Sequence, residues 1–169
     1  MMINTFFITD QNPSLIVNGI YDPTLVTLSI ATAIFAAYFS LYIIDLANKT
    51  EFISYQRLGS ATGALVMSGG IWSMHFIGML AFSLCTTVNY DPTLTFLSFL
   101  PAFLACYICF SIFRRHYMSG IPRAIKLALG SVLLGAGIGT MHYTGMAAME
   151  LSPLLRYDPS WFSASIIVA

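Results

Sequence analysis

Two histidines carry the chemistry this sequence is able to do. His75 lies in Met74-His75-Phe76-Ile77-Gly78-Met79, and His142 lies in Met141-His142-Tyr143-Thr144-Gly145-Met146, 67 residues later (142 − 75). Residues four apart share a helix face. His75 is therefore cofacial with Met79, with Phe82 next along the stripe, and His142 with Met146 and then Met149. Met74 and Met141 project about 100° away, toward another helix or lipid. Imidazole suits copper, zinc and iron, while thioether selects soft Cu(I). No carboxylate or cysteine cluster joins the stripe, which argues against calcium, magnesium or an iron–sulfur centre. Copper fits this donor set best. Haem with His75 and His142 as axial ligands is the alternative. A third reading needs no cofactor: a membrane His bonds a neighbouring helix, Met fills gaps, and Gly78, Gly145 and the Gly135/Gly139 pair allow close helix approach in a structural scaffold.

The elements that hold these residues are membrane helices. The chain has 169 residues, of which 57% are hydrophobic and 8% charged, with mean hydropathy +0.79. A soluble domain carries about a quarter charged residues, so the expected class is an all-α integral membrane protein. The net charge of zero offers nothing to nucleic acid. Apolar runs long enough to span a bilayer fall near Thr24–Ile44, Ser60–Leu84, Pro92–Phe113 and Ala124–Met149. A fifth run begins at Pro159, and its apolar stretch, Ser160–Ala169, is too short to finish a span, so a truncated domain is expected. Of the cysteines, Cys85, Cys106 and Cys109, none suggests a disulfide framework. Cys106 and Cys109 read as small core residues.

Tyr-Asp-Pro recurs at Tyr21-Asp22-Pro23, Tyr90-Asp91-Pro92 and Tyr157-Asp158-Pro159, at spacings of 69 and 67 residues. Asp before Pro is a helix-start signal: Asp caps and Pro fills the first turn. The Tyr belongs to an interfacial aromatic belt or shields a site. The expected organisation is a single domain of parallel two-helix repeats: a lead over 1–20, repeat one over about 21–89, repeat two over about 90–156, and a third repeat that opens at 157. Lys49, Arg57, Arg114, Arg115, Arg123 and Lys126 gather on one side, and Arg156 stands on the other with Asp10, Asp22, Asp91, Glu150 and Asp158. The positive-inside rule then places the amino terminus outside the cell membrane, and both histidines roughly 10–14 Å below the outer surface. Trp72 is either a wall of the site or an anchor. No Ser-His-acid set, phosphate loop or paired carboxylates occur at one depth, so an enzyme is not expected.

Met141-His142-Tyr143-Thr144 with Gly145-Met146 resembles the MHYT domain, a bacterial membrane sensor module, and Met74-His75-Phe76-Ile77-Gly78-Met79 looks like a divergent second copy in which Phe76 and Ile77 replace Tyr and Thr. The resemblance implies a multi-pass domain of the bacterial cytoplasmic (inner) membrane with three motif copies near the outer face. It implies copper held by His75, Met74, Met79, His142, Met141 and Met146, and the sensing of a diatomic gas such as oxygen, carbon monoxide or nitric oxide. It also implies partnership with a cytoplasmic signalling domain of the cyclic-di-GMP or histidine kinase type.

Overall fold

The computed structural model describes residues 20–83, 89–113 and 120–150. In chain order these hold β1 (Ile20–Tyr21), α1 (Pro23–Asn48), α2 (Ile53–Ala81), β2 (Phe82–Ser83), β3 (Asn89–Tyr90), α3 (Pro92–Leu97), α4 (Phe99–Ile112), α5 (Arg123–Ala147) and β4 (Met149–Glu150). With α3 and α4 counted as one run, Pro92–Ile112, four helices are long and apolar enough to cross a membrane. The class is all-α apart from two short strand pairings. The third Tyr-Asp-Pro, the fifth apolar run, Cys85, Arg114 and Arg115 lie outside the described residues.

Both described Tyr-Asp-Pro copies start helices as expected. Asp22 Oδ1 accepts from the Thr24 and Leu25 amides at 2.8 and 3.4 Å, and Asp91 Oδ1 accepts from Thr93 and Leu94 at 2.8 and 3.4 Å. A proline follows each Asp in the first turn. Two boundaries differ from the sequence reading. α2 begins at Ile53 rather than Ser60 because the polar side chains of this stretch are satisfied internally: Gln56 Nε2 donates to Thr50 O at 2.8 Å and Ser60 Oγ to Gln56 O at 2.9 Å. The third span is interrupted at Ser98. Pro101 has no amide hydrogen to return to Leu97 O, and Ser98 Oγ bonds Thr95 O at 2.7 Å, tightening that turn, while its backbone stays helical (φ −61°, ψ −22°).

The two helices of each unit approach through matching contacts. Gly70 has no room for a Cβ because Ala36 lies against it, and Gly137 is closed in the same way by Ala105. Gly137 is 67 residues after Gly70, and Ala105 is 69 after Ala36. Those offsets are the ones seen between the His motifs and between the Tyr-Asp-Pro copies. Gly63 against Ile44 recurs in the same way as Gly130 against Phe113. The expected Gly135/Gly139 pair plays no such part, since Gly139 faces open space. Close approach falls on Gly130, Gly137 and Gly145 instead, because these face the partner helices.

Several polar side chains inside the bundle return their hydrogens to carbonyls, as apolar surroundings favour, whereas Ser111 Oγ is buried without a partner. Ser40 Oγ donates to Gly63 O at 2.8 Å, and Ser29 Oγ to Met74 O at 2.9 Å, each joining α1 to α2. The core seam between units consists of Ala64, Cys106 and Phe110, with Ile44, Met67, Ile71, Phe103, Tyr107 and Leu134 around it. Cys106 and Cys109 are free and buried, the core role expected of them. Large apolar side chains such as Ile34, Phe35, Tyr38, Leu104, Ile108 and Val132 project outward, as lipid-facing residues do. At the end of the bundle opposite the strands, Lys49 pairs with Asp45 at 2.7 Å, and the hydrogen bond its ammonium donates to that carboxylate raises the lysine's pKa.

The caps yield a direct expectation. Asp91→Ala should destabilise the protein by about 1 kcal/mol, whereas Asp91→Asn, which still caps, should stay close to wild type. Thermal unfolding of the two variants side by side in one detergent checks this.

Candidate functional site

The depth of each histidine is set by a backbone clasp that links the start of a unit to its finish. β1 pairs antiparallel with β2 (Tyr21↔Phe82), and β3 pairs with β4 (Tyr90↔Met149). Between them, the Asp22 amide donates to Ala81 O at 2.8 Å and the Asp91 amide to Ala148 O at 2.9 Å. Ala81 is six residues past His75, and Ala148 is six past His142. At 1.5 Å per residue, each imidazole therefore hangs from its helix about 9 Å below its clasp. The register is identical in the two units even though the units differ in length by two residues.

The matched heights let the two side chains meet. His75 Nδ1 and His142 Nδ1 are 3.3 Å apart, and their ring centroids are 4.8 Å apart at 67°. Both residues are half-buried. His75 Nε2 is fully buried with no hydrogen-bond partner. Its nearest surroundings are those of Gly145, where a Cβ would stand 2.9 Å from it. With no acceptor at Nε2, a proton there would be an orphaned donor. The neutral tautomer that avoids this carries its hydrogen on Nδ1, facing His142.

Aromatic side chains wall the pair. Phe76 lies edge-on to His75 at 5.2 Å, and Tyr143 to His142 at 5.1 Å. Trp72 lies against Phe76 at 4.7 Å and Phe96 at 6.4 Å. Its indole N–H donates to Thr95 O at 3.2 Å and Ser98 Oγ at 3.1 Å. Trp72 thus ties the two units together beside Phe76. Tyr90, in the clasp of the second unit, touches Phe76 at 6.3 Å, and burial raises its phenol pKa. The Tyr of a helix-start signal thereby packs on the aromatic neighbour of His75 in the other unit.

Of the sequence candidates, the structure brings His75 and His142 together. Met141 is buried at 1% exposure, directed into the bundle. Met74, Met79 and Met146 are half-buried on the same helices. Among the described residues, no group of three His, Cys, Asp or Glu gathers, so a metal held here would depend on the histidine pair and soft or exogenous donors. The pair fits such an ion. Metal–imidazole bonds are about 2.0 Å, and nitrogens 3.3 Å apart both reach a common point at that distance once the His75 hydrogen moves from Nδ1 to Nε2. Ser98 is not singled out by the sequence, Tyr90 reads there only as a belt or shielding residue, and Gly145 only as a point of close helix approach. The repeat offset contains part of the signal, since Gly145 and Gly78 are equivalent, but only the fold shows which glycine meets an imidazole.

Comparison with known proteins agrees with this architecture. The family profile MHYT, described as "Bacterial signalling protein N terminal repeat", matches residues 69–120 and 135–169, about half of the chain. The chain is 42% identical over 157 residues to the bifunctional diguanylate cyclase/cyclic di-GMP phosphodiesterase MucR of Pseudomonas aeruginosa, covering 88% of this chain and 21% of that protein. It is 36% identical to the cyclic di-GMP phosphodiesterase NbdA of the same organism (90% and 19% covered). It is 33% identical to the signaling protein YkoW of Bacillus subtilis (88% and 18% covered). The chain thus spans about a fifth of the length of these relatives. No solved structure matches it.

The tie made by Trp72 is testable apart from any ligand. Trp72→Phe keeps the stacking but removes the indole N–H, so Ser98 Oγ loses its donor and Thr95 O keeps only the bond from Ser98 Oγ. It should lower stability by about 1 kcal/mol. Hydrogen exchange should quicken in α3 more than in α1.

Proposed function

The chain belongs to the MHYT family of bacterial signalling repeats, and from that premise we propose that it is a membrane sensory domain that holds copper between His75 and His142. The observation that carries the proposal is the 3.3 Å approach of the two Nδ1 atoms across the boundary between units. Two imidazoles placed in an apolar bundle are costly. An ion at the two Nδ1 atoms would replace their shared hydrogen bond, with the His75 hydrogen carried on Nε2. The direct contact also favours a single ion over haem, whose macrocycle must stand between its two axial rings. Cu(I) held by imidazole, with thioether from Met79, Met146, Met74 or Met141 within the same helices, supplies a soft centre for a diatomic ligand such as oxygen, carbon monoxide or nitric oxide.

The protein's own residues do the rest. Trp72 and Tyr90 pack on Phe76, which lies edge-on to His75, and this cluster would shield that side of the pair. The clasps fix the two imidazoles at one depth. A ligand that favours one separation of the rings favours one inter-unit packing of α2 and α5, and a signal requires such a differential. The clasped end faces outward and the end bearing Lys49, Arg57, Arg123 and Lys126 faces the cytoplasm of the bacterial inner membrane, by the positive-inside rule. There the domain would be read by a cytoplasmic signalling module. The relatives named for cyclic di-GMP synthesis and hydrolysis make such a module the leading partner. This domain itself is then the non-enzymatic part.

The purified protein, in detergent with Cu(I) and a competing chelator, should retain about one copper ion. The double variant His75→Ala/His142→Ala should retain none, with unchanged helical circular dichroism. Equal copper in both proteins overturns the reading. A Soret band after expression with ample haem would favour the haem-binding alternative.

A further inference from the structure

The two glycines of the repeated motif, Gly78 and Gly145, are sequence equivalents with different surroundings. A Cβ at Gly145 would stand 2.9 Å from His75 Nε2, 3.2 Å from His75 Cδ2 and 3.4 Å from Phe76 Cζ. A Cβ at Gly78 would meet only Ser29 Oγ, at 3.8 Å. Real Cβ atoms do not approach ring atoms at 2.9 Å, and the imidazole cannot yield freely. Its other edge bears on His142, and Phe76 lies edge-on to it. Gly145 is buried, so an added methyl group has nowhere else to go.

The geometry points to Gly145 as a positioning residue for the histidine pair: the bare backbone of the second unit seats the His75 ring and fixes its approach to His142. Gly78 carries no such duty among the described residues, despite occupying the same place in its motif. This deepens the copper reading and rests on it only for the metal readout, since the seat itself is a property of the metal-free protein. The chemistry is steric. Nε2 and Cδ2 lie flush against the position where any other residue carries its side chain, and a displaced ring no longer presents Nδ1 at 3.3 Å from its partner.

The experiment is a double-mutant cycle on the full chain in detergent with chelator present, joined to copper competition. Gly145→Ala should lower the apparent Tm by roughly 4 °C or more, as overpacking does, and should move the imidazole 15N resonances of His75 and His142. In a His75→Ala background, where the methyl group has room, the same substitution should cost little. Gly78→Ala should leave both the resonances and Tm near wild type. Copper affinity should fall at least tenfold in Gly145→Ala and hold in Gly78→Ala. Additive Tm losses in the cycle, or equal effects of the two glycine variants, overturn the inference. If wild type holds no copper while the cycle shows coupling, the metal reading fails and the seat stands. If Gly145→Ala fails to fold, recovery of folded protein in Gly145→Ala/His75→Ala supports the seat, and its absence overturns it.

Discussion

The hydrogen bond from an Asp amide at the head of each unit to the carbonyl six residues past that unit's histidine sets the height of everything at the site. An α-helix can slide against its neighbour by whole turns with little change in apolar burial, because lipid and protein interior are alike to a leucine. Hydrophobicity therefore cannot fix the register of α1 against α2, or of α4 against α5. The clasps can, because an amide and a carbonyl near the end of a membrane helix need partners and each finds one in the other. Asp22 on Ala81 and Asp91 on Ala148 use the same offset from His75 and His142. The two imidazoles thereby arrive at one level.

From that level the remaining contacts follow. Small residues let the helices of a unit close: Gly70 on Ala36, Gly137 on Ala105. The seam of Ala64, Cys106 and Phe110 then brings α2 against α4. Trp72 reaches across to Thr95 and Ser98, and Tyr90 comes over Phe76. The ties made by Trp72 and by Tyr90 on Phe76 lie within a turn of His75, while the Ala64 seam lies about three turns away. The histidine contact thus adjoins residues that join the two units.

Much of this was legible in the sequence, and the reason is repetition. Helical membrane spans, the Asp-Pro caps and the matched depth of the histidines all follow from local periodicity or from the spacing of like motifs. What escaped the sequence depends on which distant backbone atoms come together. The strand pairings of Tyr21 and Tyr90 involve two residues each and give no periodic signal. The break at Ser98 depends on Pro101 three residues later, inside a run that reads as one uniform span. The Gly135/Gly139 spacing suggested a contact that the fold gives to Gly137, since both registers look alike until the facing helix is in place. Gly145 and Gly78 are indistinguishable by motif and differ only in what the neighbouring unit lays against them.

The account's central claim is that the two histidines, one from each unit, hold a single copper ion. X-ray absorption at the copper edge of the membrane-embedded protein tests this most directly. The account predicts one copper site with outer-shell scattering from two imidazoles, reduced to one imidazole when either His75 or His142 is replaced. A spectrum without imidazole scattering, or one unchanged by either replacement, would contradict it.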